Sequence, residues 1–194
     1  HLAAGSRATA DEIDAAFLHS RLDPDLEQAI LDLAQTVGGA GELAVRSSAT
    51  TEDSPGASSA GQYRTVLNVP GDEVLRSVRL VWASLWHPGA SSYRAQTGTD
   101  EPDMAVVLMP MIDAQLAGVI FTRDPVGSPE NVRVEAVRGT AEDLVGGTRS
   151  PDSWILPRTG GGASSEPLDE VVAASLELER LLGCPQDIER AHDG

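Results

Sequence analysis

The chain has 194 residues, with 30 acidic and 14 basic side chains and a formal net charge of −16. That charge argues against a general nucleic-acid-binding protein, which needs a basic surface, but leaves room for one bound nucleotide. The length is enough for one domain or two small lobes, no apolar run is long enough to span a bilayer, and no signal-peptide pattern is recognised. The single cysteine, Cys184, excludes an internal disulfide framework, favours a reducing cytoplasm, and is expected to be a small buried residue.

The first forty residues predict two helices. Thr9 and Glu12 have the spacing of a capping box, which opens a helix that we expect to run to Leu22. Asp23 and Pro24 then form the N-cap and first position of a second helix. Four apolar residues at helical spacing predict its buried face: Leu26, Ile30, Leu33 and Val37.

Residues 43–69 predict a strand–loop–strand unit. The run 45–69 reads VRSSATTEDSPGASSAGQYRTVLNV. Its first strand delivers Arg46 to a loop of small residues, in which Gly61 lacks the Cβ that would keep a ligand away from the backbone. The guanidinium of Arg46 is a planar donor with a permanent charge. This combination suits a phosphate chain, and a flexible hairpin loop is the alternative that composition leaves open.

The remainder of the chain predicts more strands than helices. Residues 72–86 form an amphipathic helix. The strands Met104–Met111 and Leu116–Thr122 are expected to pair as a hairpin. Further expected elements are strands at 132–137 and 154–156, a helix at 168–182 ended by Gly183, and a last strand at 187–190. Mixed helices and hairpin-like strands favour an α+β fold over a doubly wound parallel sheet.

Asp187 and Glu189 are candidate metal ligands. They are two residues apart, so on a strand both carboxylates point to the same face. Paired carboxylates, completed by water and phosphate oxygens, suit Mg²⁺. A solvated strand face is the alternative interpretation.

The run 45–69 resembles the signature V-R-S-S-A-T-x-E-D-x-P-x-A-S-x-A-G-Q-x-x-T-x-L-N-V. That signature belongs to the nucleotide-binding domain of the pyruvate phosphate dikinase and phosphoenolpyruvate synthase family, which includes rifampicin phosphotransferases. Later segments at 117–125, 139–152 and 185–189 are similar to further family motifs in the same order. The resemblance covers about residues 40–194.

The resemblance implies an ATP-grasp-like fold in which two lobes close on the nucleotide, with a helical segment at 1–41 and the nucleotide-binding region at 42–194. ATP and Mg²⁺ are the implied cofactors. Arg46 would act on the transferred phosphoryl group as well as bind it, and Met109 stands near the adenine where the family often has Gln. The implied nucleotide ligands are Arg46, Gly61, Thr65 and Met109, and the implied metal ligands are Asp187 and Glu189.

The function implied by the resemblance is transfer of phosphate from ATP to a carrier histidine, and then to pyruvate or a similar acceptor. The phospho-histidine carrier domain and the acceptor domain are expected outside this chain, with no nucleic-acid or membrane partner. The family's early lysine would precede His1 and its closing strand would follow Gly194, so the fold is expected to be truncated at both ends and inactive alone. The alternatives are a degenerate nucleotide-binding module without turnover, favoured by Met109, and a fragment with no competent site.

Overall fold

The computed structural model describes residues 8–50, 63–97, 103–139, 150–159 and 166–193. The chain divides into two compact units, His1–Met111 and Ile112–Gly194. Both contain helices and antiparallel strands, consistent with the expected α+β class. The sequence-based boundary between residues 41 and 42 stays a prediction. Within the described ranges, no helix combines the length and apolarity needed to cross a membrane.

The first unit contains a three-stranded sheet in the order β2-β1-β3. Its strands are β1 (Leu43–Ala49), β2 (Thr65–Val69) and β3 (Met104–Pro110). β1 and β2 pair antiparallel, so the two strands of the predicted strand–loop–strand unit are confirmed, while residues 51–62 between them lie outside the described residues. β1 also pairs with β3 along its whole length, and it is therefore the central strand.

The helices of the first unit are α1 (Ala10–His19), α2 (Pro24–Gly38), α3 (Val74–Ser84) and α4 (Pro88–Thr97), with a 3-10 turn at Gly71–Glu73. Of these, α2 and α3 cover one face of the sheet, and α1 packs against α3. The core joins α2 and α3 to β1 and β2 through Ala34, Leu43, Val45, Val69, Val74, Val78 and Val81. Burying each Val or Leu side chain contributes about 1.5–3 kcal/mol, so these contacts set which face of the sheet is covered.

Both predicted helix N-caps are confirmed. Thr9 Oγ1 accepts a hydrogen bond from the Glu12 backbone N–H at 3.3 Å, and the Thr9 N–H donates to Glu12 Oε2 at 2.8 Å. Asp23 Oδ1 accepts from the Asp25 N–H at 2.9 Å. These bonds satisfy backbone donors that a helix start otherwise leaves without a partner. α1 ends at His19, three residues before the expected Leu22.

The predicted buried face of α2 is partly wrong. Leu26 and Leu33 are 43% and 49% exposed. Ile30 and Val37, the other two predicted residues, pack against the core, together with Ala34, which the prediction left out. The packed face of α2 therefore contains Ile30, Ala34 and Val37.

The second unit contains a four-stranded antiparallel sheet in the order β6-β5-β4-β7. Its elements are β4 (Leu116–Phe121), β5 (Asn131–Arg138), β6 (Asp152–Pro157), β7 (Asp187–His192) and the helix α5 (Glu166–Leu182). Val172 of α5 packs against Ile120, Val132 and Val134, so α5 covers one face of the sheet. Gly183 follows α5 at φ +74°, which confirms the predicted helix end.

The predicted hairpin between β3 and β4 is wrong. β3 pairs with β1, whereas β4 lies between β5 and β7. The expectation rested on the short connection between the two strands, since antiparallel neighbours are often joined by tight turns. Alternation of apolar residues predicts a strand but does not predict which other strand it pairs with.

Gly118 of β4 lies where two strands approach closely. A Cβ at this position would overlap the carbonyl oxygen of Glu135 and lie 2.9 Å from Cα of Ala136. Both neighbours belong to the hydrogen-bonded backbone of β5, so neither can move without disturbing the ladder. Any side chain here would push β5 away from β4.

We therefore expect Gly118→Ala to destabilise the chain by about 1–3 kcal/mol, the usual cost of overpacking. Urea unfolding followed by circular dichroism measures this change. Gly89→Ala is the matched control, because a Cβ there meets no atom within 4 Å. Equal unfolding free energies for the two variants would contradict the close approach.

Candidate functional site

The first sheet has one face turned away from the helices, which we call the first open face. Arg46 lies on it at the centre of β1, with Thr65 of β2 as its Cα partner on one side and Val107 of β3 on the other. Side chains of directly opposed residues lie about 4.5–5.5 Å apart at Cβ. The predicted pair Arg46 and Thr65 therefore stands in one row across the sheet.

Met109 lies on the same open face, two residues beyond Val107 on β3. The side chains of Val107 and Met109 are 40% and 41% exposed, whereas the alternate residues Val106 and Leu108 pack into the core. The first open face therefore presents an apolar surface next to Arg46, which is half-buried. An apolar surface beside a planar cation suits a ligand with one flat ring and one anionic end.

Gly61, the remaining predicted nucleotide ligand, lies outside the described residues. So does the small-residue segment of the signature between residues 51 and 62.

The second sheet also has a face turned away from its helix, which we call the second open face. Asp187 and Glu189 are exposed on it and point to the same side of β7, while Ile188 between them packs against the core. Their Cα partners on β4 are Phe121 and Val119. Alternation along the strand therefore separates the acidic face from the apolar one.

Arg133 and Glu135 of β5 share the second open face, and sequence reasoning did not select them. Glu135 is the Cα partner of Val119, and Arg133 that of Phe121. Their signal was available in the run Val132 to Ala136, where charged residues alternate with buried apolar ones. The second open face thus carries three carboxylates.

The buried carboxylate of Asp124 neutralises the charge of Arg133. Its Nε and Nη2 donate to the two carboxylate oxygens of Asp124 at 2.8 and 3.2 Å. The Asp124 carboxylate is fully buried and also accepts the Val126 N–H at 3.1 Å. The hydrogen bonds from Arg133 lower the pKa of the Asp124 carboxyl to about 2, against the opposing effect of burial.

The acidic second open face suits a hard cation better than a bare phosphate. Carboxylate oxygens and water are the ligands that Mg²⁺ prefers. Across the described ranges, no group of three or more His, Cys, Asp or Glu side chains converges closely enough to hold a metal by itself. Two carboxylates plus phosphate oxygens remain a donor set that fits Mg²⁺, and Asp187 with Glu189 stays a prediction.

A cavity of about 460 Å³ in the second unit lies apart from the predicted residues, and its lining includes Arg123, Arg158, Arg180, Glu179 and Cys184. Both terminal nitrogens of Arg158 bind Glu179, at 2.8 and 2.9 Å, and Arg180 binds Glu177 at 2.6 and 2.8 Å. Arg123 Nε also lies 3.8 Å from Glu179 Oε1. Since all three guanidiniums are paired with carboxylates, the cavity offers ion pairs rather than a site for an anion. Cys184 is exposed, so the expectation that it is buried is wrong.

Residues 3–168 match the family described as pyruvate phosphate dikinase, AMP/ATP-binding domain. The chain belongs to this family. The resemblance inferred from the run 45–69 is thereby confirmed, and ATP is supported as the ligand of the family domain.

Curated relatives agree with the family match. The chain is 40% identical over 156 residues to phosphoenolpyruvate synthase of Aeropyrum pernix, covering 76% of this chain and 19% of that protein. It is 42% identical over 146 residues to prodigiosin synthesizing transferase PigC of Serratia marcescens, covering 74% and 16%. It is 38% identical over 183 residues to rifampicin phosphotransferase of a Streptomyces species, covering 75% and 21%. The chain thus spans about one fifth or less of the length of these relatives.

The buried Asp124–Arg133 pair makes a pH-dependent contribution to stability. The pKa of Asp124 is about 2 in the folded chain and about 3.9 in an unfolded one. The stabilisation is therefore present above about pH 4 and is lost as the pH falls towards about 2. We expect Asp124→Asn to be less stable than the wild type near neutral pH, with a gap that closes in acid.

Urea unfolding between pH 7 and acid conditions, about pH 2 to 3, measures this gap. Asp113→Asn removes an exposed carboxylate of the same unit as a control and should leave stability unchanged. A gap between Asp124→Asn and the wild type that does not vary with pH would contradict the assigned ion pair.

Proposed function

We propose that the chain is the ATP-binding part of a larger phosphotransferase of the dikinase or synthase type. The family match supports ATP as the ligand. The proposal is assigned to particular residues because Thr65, Arg46 and Val107 form one row across the first sheet. It combines a cation, a hydroxyl and an apolar surface on one face.

Arg46 is proposed to hold the phosphate tail of the nucleotide. A guanidinium binds phosphate oxygens through charge-assisted hydrogen bonds, and its charge does not vary with pH. Thr65 would add a hydroxyl or backbone donor from the opposed strand, and Gly61 would allow close backbone approach. The same positive charge would stabilise the transferred phosphoryl group in its transition state.

Met109 is proposed to contact the adenine ring. Its thioether is exposed beside Val107, so it offers dispersion contacts to a flat base. It has no amide, and so cannot give the adenine edge a side-chain hydrogen-bond donor together with an acceptor. Base selection would then depend on backbone groups and on shape.

Asp187 and Glu189 are proposed to hold Mg²⁺. When bound, the ion would neutralise negative charge on phosphate oxygens. The two carboxylates would hold the ion from one strand face, on which side chains two residues apart point to the same side. Glu135 adds negative charge to the same face.

The finer fold assignment is ATP-grasp-like. It is supported by the family match and by two compact units that each carry an antiparallel sheet with one helix-covered face. The transfer of phosphate to a carrier histidine and then to pyruvate or a similar acceptor is proposed for the larger protein. Its support is the similarity to a phosphoenolpyruvate synthase and a rifampicin phosphotransferase, each about five times as long as the matched region.

Met109 favours a second candidate, a nucleotide-binding module that holds ATP without turnover. Loss of an amide at the base would weaken the alignment of the phosphates for transfer. ATP consumption by the full-length protein separates the two candidates. A wild type without turnover, which gains it in Met109→Gln, would favour the second candidate, and turnover by the wild type would favour the first.

The role of Arg46 predicts the effect of its removal. Arg46→Ala should weaken Mg²⁺–ATP binding by about 1.5–3 kcal/mol, the value of a hydrogen bond to a charged group. This loss is roughly a tenfold to 150-fold rise in the dissociation constant, measurable by isothermal titration calorimetry. Arg76→Ala removes an exposed arginine from α3 as the control and should leave the constant unchanged. An unchanged constant for Arg46→Ala would remove Arg46 from the site.

The role of Asp187 and Glu189 predicts a loss that depends on metal. Asp187→Asn combined with Glu189→Gln should abolish the gain in ATP affinity that Mg²⁺ provides, and leave the metal-free affinity near its starting value, because the donors of the first open face are intact. The matched control is Asp169→Asn with Glu170→Gln, which removes two exposed carboxylates from α5. An Mg²⁺ effect that persists in the first double variant would contradict the assignment.

A further inference from the structure

The carboxylate of Asp14 joins three elements of the first unit. It projects from α1 with 15% of its side chain exposed. Its Oδ2 accepts a hydrogen bond from Arg64 Nη1 at 2.8 Å, and its Oδ1 lies 2.8 Å from His87 Nε2. Arg64 directly precedes β2, and His87 lies between α3 and α4. One side chain therefore binds groups 50 and 73 residues away in sequence.

These bonds are of the charge-assisted kind. Burial raises the pKa of the Asp14 carboxyl, but hydrogen bonds from His87 and Arg64 outweigh it and leave the pKa below its ordinary value. Asp14 is thus ionised near neutral pH. Hydrogen bonds to an ionised acceptor are shorter and stronger than those between neutral groups.

The main chain of Arg64 is also fixed to the helical layer. Its backbone N–H donates to Ser84 Oγ at 3.0 Å, and Ser84 Oγ donates to the carbonyl of Val81 at 2.6 Å. Ser84 is buried at the end of α3. Side chain and backbone of Arg64 are therefore held at two separate points.

Arg64 is followed by Thr65, the first residue of β2 and the Cα partner of Arg46. The position at which the chain enters β2 decides where the Thr65 hydroxyl stands relative to the Arg46 guanidinium. A strand end without such anchoring frays, because its outermost ladder bonds open most readily. The contacts of Arg64 oppose that fraying at the row that carries the predicted ligands.

We propose that Asp14 is a positioning residue of the first open face: through Arg64 it fixes the entry of β2 and keeps Thr65 opposite Arg46. Asp14 acts on the helix-covered side of the sheet and touches no ligand itself. The expected effect on nucleotide affinity rests on the proposed function, whereas the effect on the entry of β2 does not.

The chain offers a matched control in Glu27. Its Oε1 accepts from Arg79 Nη2 at 2.8 Å, the same length as the Asp14–Arg64 bond. Arg79 Nη1 also donates to the carbonyl of Leu18 at 3.2 Å. This ion pair joins α3 to α2 and to α1, so removing it tests the loss of an equally short bond between helices.

The experiment measures two quantities in the wild type, Asp14→Ala and Glu27→Ala. The first is amide hydrogen exchange of residues 65–69, followed by mass spectrometry without nucleotide. The second is the dissociation constant for Mg²⁺–ATP. In Asp14→Ala we expect amide exchange in β2 to be faster than in the wild type. We also expect the dissociation constant for Mg²⁺–ATP to rise about fivefold to tenfold, somewhat less than for loss of a direct hydrogen bond to a charged group. Glu27→Ala should leave both within about twofold of wild type, as expected for a change remote from β2.

A conservative pair of variants separates positioning from general destabilisation. Arg64→Lys keeps a cation for Asp14 and should retain slow exchange in β2 and most of the affinity. Arg64→Met keeps the apolar stem without the charge and should behave like Asp14→Ala. A bond that served only overall stability would quicken exchange throughout the unit, in α2 and α3 as much as in β2.

Four results decide the matter. Faster exchange confined to β2 in Asp14→Ala, with weaker Mg²⁺–ATP binding, supports the proposal. Exchange in β2 that is unchanged, or raised equally by Glu27→Ala, overturns it. Faster exchange with an unchanged dissociation constant overturns the link from Asp14 to the ligand. A wild type that binds no Mg²⁺–ATP at millimolar concentration overturns the proposed function instead, while the exchange data still decide whether Asp14 positions β2.

Discussion

The backbone ladders along both edges of β1 are the constraint on which the candidate site depends. They set Arg46 between Thr65 and Val107, and they do so because Val45, the preceding residue, is fully buried. Side chains alternate between faces, so a slip of one residue would bury the guanidinium and expose Val45. The free energy needed to bury a charge without a partner is far larger than the free energy gained from a contact at the surface. The hydrophobic core thus fixes the register, and the register brings the predicted ligands together on the opposite face.

The second sheet follows the same physical rule with the opposite charge. Burial of Ile188 against α5 holds Asp187 and Glu189 outward, and the ladder between β4 and β7 sets them beside Phe121 and Val119. The buried carboxylate of Asp124 binds Arg133 and so removes the free positive charge that would otherwise attract an anion there. Taken separately, the first open face therefore offers a cation, and the second open face offers carboxylates.

Local chemistry in the sequence was enough to predict most elements but few of their partners. The caps at Thr9 and Asp23 depend on residues two or three positions apart, and both were predictable. The pairing of β3 with β1, and the exposure of Leu26 and Leu33, depend on contacts between distant segments that periodicity does not specify. The Asp14 cluster is the extreme case, since its members are 50 and 73 residues apart and each is an ordinary polar residue in its own segment. Glu135 could have been predicted from the sequence, because it alternates with the buried residues Val134 and Ala136 and must therefore face outward.

A crystal structure of the chain with Mg²⁺ and a non-hydrolysable ATP analogue tests the central claim most directly. The account predicts phosphate oxygens within hydrogen-bonding distance, about 2.7–2.9 Å, of the Arg46 guanidinium. It also predicts the base against the apolar surface formed by Val107 and Met109. A phosphate tail bound away from the row of Thr65 and Arg46, with the first open face bare, would contradict it.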